Sequence, residues 1–311
     1  MFNTIYDNVR NMSESHKIQF LNGCLQILAE NKDRILAFEK KLKTDFEKNL
    51  LEAAFHNLLD IHNPLRFNNF SYAIRELIDH VLRRLSPNEC VINCIWYSEP
   101  NSNRKVIRSQ RIKYAIQKGL SDEFVSKELN LDISKIQQDI RNIINKLNKY
   151  THVAPDTFNI DPVNQLRDVS TLLKVFLELF ETIERIETEI VESMIKHIEE
   201  EVIETIFDNY SELETYVTHA YFGDYEIVDI TLKEMDSKDL EFFVEGNIYP
   251  EFQIGSDSDV RKGDGMVFTK KIPFTCRLSA DVLTPYELKI SDFEMEVDSD
   301  NFWENIEYLS E

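Results

Sequence analysis

Between Pro162 and Gly223 the chain contains neither glycine nor proline, and its 311 residues hold only seven of the first and eight of the second. A stretch that long without a chain breaker excludes a run of short elements there and reads as long helix. Cysteine is also scarce. Cys24, Cys90, Cys94 and Cys276 are too few and too scattered for a disulfide framework, which fits a reducing compartment. Three residues separate Cys90 from Cys94, the wrong internal spacing for a zinc knuckle, so buried thiols rather than a metal site are expected. No uncharged apolar run approaches the roughly 18 residues of a membrane span. The opening Met1-Phe2-Asn3-Thr4 has no basic region followed by an apolar one, so no signal peptide, a cytoplasmic location and no membrane partner are expected. Low hydrophobicity is absent as well: 42% hydrophobic and 11% aromatic residues place the chain among folded proteins, with enough length for two domains.

Positive charge is what the second half lacks. Residues 1–150 carry 23 Lys/Arg against 18 Asp/Glu, whereas residues 151–311 carry 12 against 38. Within the first half, residues 104–149 hold 11 basic and 5 acidic residues, so a polyanion would be steered toward that stretch. The acidic half is unsuited to nucleic acid and can instead restrain the basic surface or bind a protein.

Apolar spacing of three and four predicts helices over 14–58 and 67–85, the latter bracketed by Pro64 and Pro87. Residues 88–106, with Pro100-Asn101-Ser102-Asn103, read as an exposed loop. Helix resumes near 107, and residues 121–148 read as a short helix, a turn at Asn130-Leu131-Asp132 and a longer helix. From Phe176 through Ile190 and Met194 to Ile206 and Phe207 an apolar stripe alternates with glutamates, as one long helix or two stacked ones. After Gly223 the period falls to two, and strands are predicted over 225–234, 240–252, 266–278 and 286–297, joined by a loop at 255–265. The fold class expected is α+β: a helical domain over 1–160, a long acidic helical connector over 161–222 and a small antiparallel β-domain over 223–311.

Chemistry is suggested by Arg75-Glu76-Leu77-Ile78-Asp79-His80. Five residues of helix set Arg75 and His80 about 140° apart around the axis and about 7.5 Å apart along it, too far for one tight hydrogen bond but able to flank a phosphodiester. Imidazole titrates near neutrality in general and can move a proton at a ribose hydroxyl or leaving oxygen, while guanidinium stabilises a pentavalent phosphate. Such a reaction needs no metal and no cofactor. The alternative to a site is a surface arginine beside a partly buried histidine.

The runs LRFNNFSYAIRELIDHVLRRLSP (65–87), RSQRIKYAIQKGLSDEFV (108–125) and LNKYTHV (147–153), with SDSDVRKGDG (256–265) and IPFTC (272–276), resemble a bacterial defence-associated family, the predicted pPIWI-associating nucleases. The Arg75-x4-His80 helix in a helical setting is also similar to HEPN ribonucleases, which pair an Arg and a His four to six residues apart and dimerise so that two motifs share one site. That resemblance implies that Arg75 binds phosphate, that His80 is catalytic, and that the substrate is RNA acted on by a homodimer, with a possible partner defence protein. The position after the arginine, often Asn, Asp or His in that family, is Glu76 here, so either its carboxylate points away from the scissile phosphate or the site is degenerate. Lys149, Tyr150 and His152 are candidates to join the site from the end of the following helix. Arg108, Arg111 and Lys113 are candidate phosphate contacts.

Two other readings compete. The pPIWI-associating name implies a metal-dependent, restriction-endonuclease-like DNA nuclease, for which Asp264 or Asp281 with Glu287-x-Lys289 are the available residues. A non-catalytic binder would use 121–148 as a helix-turn-helix, presenting Lys135, Arg141, Lys146 and Lys149.

Overall fold

The computed structural model describes residues 14–60, 63–101, 103–158, 162–297, 302 and 307–308; the N-terminal residues inspected for a leader lie outside them. Helices come first and an antiparallel sheet follows, with helix accounting for about 55% of the chain, so the fold is α+β. The helices are α1 (Glu14–Lys41), α2 (Asp45–Leu59), α3 (Arg66–Leu85), α4 (Asn88–Ile92), α5 (Arg108–Gln117), α6 (Asp122–Lys127), α7 (Ser134–Thr151) and α8 (Pro162–Asn209). A 3₁₀ turn at Tyr210–Thr215 leads into the strands β1 (His219–Met235) and β2 (Asp239–Ile254). A short helix α9 (Asp257–Lys262) precedes β3 (Met266–Thr269), β4 (Ile272–Asp281), β5 (Lys289–Met295) and β6 (Glu307–Tyr308). No described helix is long and apolar enough to cross a membrane.

The chain forms two compact units. One holds the residues up to Lys118 together with Val125–Ile186, and the other holds Gly119–Phe124 together with Glu187 onward. In the helical unit, Phe67, Phe70, Ile74, Leu77 and Val81 of α3 are buried, as are Leu51, Phe55 and Leu58 of α2 and Ile136, Ile140, Ile143 and Leu147 of α7. Phe55 meets Phe70 edge-on at 5.7 Å, and Phe38 of α1 lies 6.2 Å from both Phe176 and Phe180 of α8. Burying this many large apolar side chains, at about 25 cal/mol per Å² of apolar surface, is the main force holding the helices.

Two boundaries differ from the periodicity. The helix expected over 14–58 breaks between Lys41 and Asp45, because Thr44 accepts from the Glu47 amide at 3.2 Å and starts a new helix. The loop expected over 88–106 contains α4 and a small core of Val91, Cys94, Val106 and Tyr114, with Trp96 Nε1 donating to the Lys118 carbonyl at 2.8 Å. In the glycine-free stretch, a single helix of 48 residues forms. Ile186, Ile190, Met194, Ile198, Val202 and Ile206 recur every fourth residue and are fully buried, whereas Phe207 is exposed.

In the sheet unit, β2 is paired along one edge by β1, through three bulges, and along the other by β4 and β3 in turn. The strand predicted over 266–278 is interrupted at Lys270-Lys271, yet the register is unbroken: Ile254 faces Met266 and Ile248 faces Ile272, with residue numbers advancing in step. Pro250 lies opposite the gap and has no N–H to donate, which explains the missing bridge. Ile272, Phe274, Cys276, Leu278 and Ala280 alternate with exposed residues and bury one face of β4 against Phe242, Val244 and Ile248 on the same side of β2. The loop expected over 255–265 holds α9, capped by Ser256, whose hydroxyl accepts from the Asp259 amide while donating to the Asp259 carboxylate at 2.7 Å.

Candidate active site

Helix α3 is where the predicted pair stands. Its apolar face is buried, so Arg75, Glu76, Asp79 and His80 are left along the rim. Because α3 packs on α2 and on α7, the angular separation of Arg75 and His80 sends them to different neighbours.

His80 turns to the start of α2. Its imidazole is 44% exposed, lies 4.9 Å from the ring of Phe46, and has Nε2 4.0 Å from Oε1 of Glu47. That distance is beyond a hydrogen bond but within reach of charge attraction once the ring is protonated. Glu47 itself is completely buried. Its carboxylate accepts Nε and Nη2 of Arg84 at 2.7 and 3.2 Å and the backbone N–H of Lys43 at 2.8 Å, while the Thr44 N–H completes the capping box at 3.4 Å. Burial alone would raise the Glu47 pKa, but Arg84 and these amides outweigh it and hold the carboxyl below its ordinary value, so the group is anionic beside His80.

Arg75 turns to the end of α7. Nη1 donates to Thr151 Oγ1 at 3.4 Å, Nη2 pairs with Glu76 Oε1 at 2.8 Å, and the guanidinium lies 5.2 Å from the centre of the Tyr72 ring. The Glu76 carboxylate therefore occupies one side of Arg75. A guanidinium at the carbonyl end of α7 is favoured by the helix dipole. Of the residues expected to join from α7, Lys149 pairs with Asp156 at 2.9 Å, and Tyr150 donates its hydroxyl to Asp168 at 3.1 Å while its ring packs on Phe67. Burial, then the Asp168 charge, pushes the Tyr150 phenol up to about 12. His152 follows Thr151 directly and is exposed, so the second histidine lies on the Arg75 side of the helix.

Between Arg75 and His80, Asp79 gathers arginines. It pairs with Arg83 at 2.7 Å and with Arg108 at 3.6 Å. Arg108 is pulled below its usual range by burial, opposed by Asp79, and further by the like charges of Arg104 and Arg75. One carboxylate thus faces several guanidiniums. Arg111 differs. It is nine-tenths buried, donates to the Ser86 carbonyl and to Asn88 Oδ1, and receives the Ser86 hydroxyl on its own carbonyl at 2.6 Å. It fastens α5 to the end of α3 and has little left for a phosphate. Lys113 stacks over Trp96 at 4.6 Å.

A sequence model of the predicted pPIWI-associating nucleases matches residues 39–176, and a second model of the same family matches residues 183–303. The chain belongs to the predicted pPIWI-associating nucleases. No curated protein and no solved structure matched it. In this pPIWI-associating nuclease the family assignment carries a nuclease role, and α3 and its arginines lie within the first matched segment.

The metal-dependent arrangement built on Asp264 does not assemble, whereas Asp281 lies two residues beyond Ser279 on β4, at the Lys289 end of the sheet. Asp264 adjoins Met266, opposite Ile254, whereas Lys289 pairs with Ser279, which faces Glu241. Ile254 and Glu241 lie about 40 Å apart along β2 at roughly 3.3 Å per residue. Glu287 precedes β5 instead of lying on it, and among the described residues no three His, Cys, Asp or Glu side chains surround one point. Of the basic residues offered for the helix-turn-helix reading, Lys146 pairs with Asp168 and Lys149 with Asp156, and all four of Lys135, Arg141, Lys146 and Lys149 are exposed. Glu47, Arg84 and Asp79 escaped the sequence reading. The Thr44-x-x-Glu47 capping signal was available for the first, but nothing local places it under His80.

Proposed function

We propose that the protein is a metal-independent, HEPN-type endoribonuclease that works as a homodimer and as a defence effector, with Arg75 on the phosphate and His80 as the proton-transfer group. The observation that carries this reading is an exposed imidazole set 4.0 Å from a buried, locked, anionic carboxylate. In the reaction, the ribose 2′-oxygen attacks phosphorus as His80 takes its proton. The P–O5′ bond breaks, and the departing oxygen takes that proton back from the imidazolium, giving a cyclic phosphate and a 5′-hydroxyl. Glu47 favours the imidazolium that forms in between, and Arg75 balances charge on the pentavalent phosphorus. Arg75 and His80 face different neighbours within one chain, so this reading brings Arg75 of one protomer toward His80 of its partner. Arg104 and Arg108 would hold the flanking phosphates.

The test is RNA cleavage by the full chain in EDTA. His80→Ala and Arg75→Ala should each abolish it while the dimer mass in solution is retained. Full activity in either variant would overturn the reading, and activity lost only on chelation would replace it with a metal-dependent one.

A further inference from the structure

The arginine cluster continues into a cavity of about 290 Å³ between the start of α5 and the exposed side of α7. Its polar walls are Arg108, Arg141 and Asn145, and its apolar walls are Ile107, Ile112 and Ile144. Two further observations mark it as more than a crevice. The first is that Arg108, in the cavity wall, meets Asp79 only at 3.6 Å, longer than a hydrogen bond, so its guanidinium has donor capacity for an anion. The second is that Ile107, Arg108 and Ser109 place the first turn of α5 in the wall, and the amides of a helix's first turn have no acceptors within the helix.

We propose that this cavity is a nucleoside-phosphate pocket, with the phosphate between Arg108, Arg141 and the α5 N-terminus and the sugar or base against the isoleucines. The volume falls at the small end of ligand pockets, which begin near about 300 Å³, and suits one nucleotide unit. Two guanidiniums and a helix start meeting an apolar wall match an amphiphilic phosphate better than a bare anion. Arg75 and Arg104 add positive potential at Arg108 that an anion would relieve. The occupant is either a free nucleotide or one nucleotide of a bound strand. The pocket does not depend on cleavage at α3.

The experiment uses the full chain with inorganic phosphate, the four ribonucleoside monophosphates and a fluorescent single-stranded RNA, by calorimetry and anisotropy. Arg141→Glu reverses one wall's charge, and Asn145→Trp fills the rim; both positions are exposed, and melting temperature checks that each variant folds. Lys196→Glu, at an exposed site on α8, is the control. We expect a nucleoside monophosphate or the RNA to bind more tightly than phosphate, and both pocket variants to weaken that binding by about tenfold or more, the scale of one lost charge-assisted contact. Weakening of the free nucleotide alone identifies a ligand pocket, and weakening of the RNA identifies a strand subsite; either supports the proposal. Affinities unchanged in both variants overturn it, as does a loss confined to Arg141→Glu, which would report charge and not a pocket. His80→Ala should leave these affinities intact, so failure of the catalytic reading is distinguishable.

Discussion

The Arg75 and His80 sides of α3 handle charge in opposite ways. On the His80 side a buried glutamate is fixed by Arg84 and by backbone amides and faces an exposed imidazole. On the Arg75 side the carboxylate is the exposed one, Glu76, and it leans on the arginine from the same turn. A buried carboxylate held by neighbours can tune a group beside it without moving. A surface carboxylate on a flexible side chain, screened by water, can let go at little cost. One side of the helix is therefore a fixed electrostatic setting and the other a releasable one.

The sharpest way to break the comparison is to separate activity from stability. His80→Ala should cut the cleavage rate by about 10²-fold to 10⁴-fold, the usual weight of a general acid–base group, while shifting unfolding by less than about 0.5 kcal/mol. A large loss of stability would show His80 to be a packing residue. Glu47→Ala should instead destabilise by about 3 kcal/mol, since it strands Arg84 and removes the side-chain half of the α2 capping box; urea unfolding measures this. A change near zero would mean that Glu47 is not the fixed point described.

Acid sharpens the same contrast. With its folded-state pKa depressed, Glu47 contributes fully at neutral pH, and that contribution is lost as the pH falls from its ordinary 4.5 through the lower folded value. Glu47→Gln should flatten the decline in stability between about pH 6 and about pH 3. Glu76→Gln should leave that decline alone and tighten RNA binding about threefold by freeing Arg75, a scale set by surface ion pairs. No change in affinity would mean that Arg75 does not meet the strand. The smallest effect belongs to Tyr150 on the Arg75 side. Its phenol should ionise near 12 by ultraviolet titration, and the stability it contributes should persist below pH 10.0 and fade above it; ionisation near 10.0 would mean that neither burial nor Asp168 acts on it.

Much of this was legible from local pattern. Pro64 and Pro87 bracket α3 and set its limits to within a residue, and the want of glycine and proline after Pro162 announced α8. Alternation identified the face of β4 through Ile272, Phe274 and Cys276. What escaped was non-local. Arg84 lies 37 residues from Glu47, and Pro250 interrupts a strand 20 residues further on. Arg111 looked like a surface cation by composition, yet the carbonyl of Ser86 draws it inside. Partners supplied by folding decide which charged side chains remain for a substrate, and spacing along the chain carries no record of them.

The short segment Gly119–Phe124 belongs with the sheet although the chain on both sides belongs with the helices. Gly119 donates its N–H to the Asp236 carbonyl at 2.9 Å, and a methyl group at its Cα would come within 2.4 Å of the Ser237 carbonyl oxygen. No single cut therefore yields both units whole: a fragment beginning at Glu187 would lack Gly119–Phe124, the first of which meets its β1–β2 turn. Simple end-to-end excision or fusion of the β-domain would therefore leave part of its own unit behind in the helical segment of the chain.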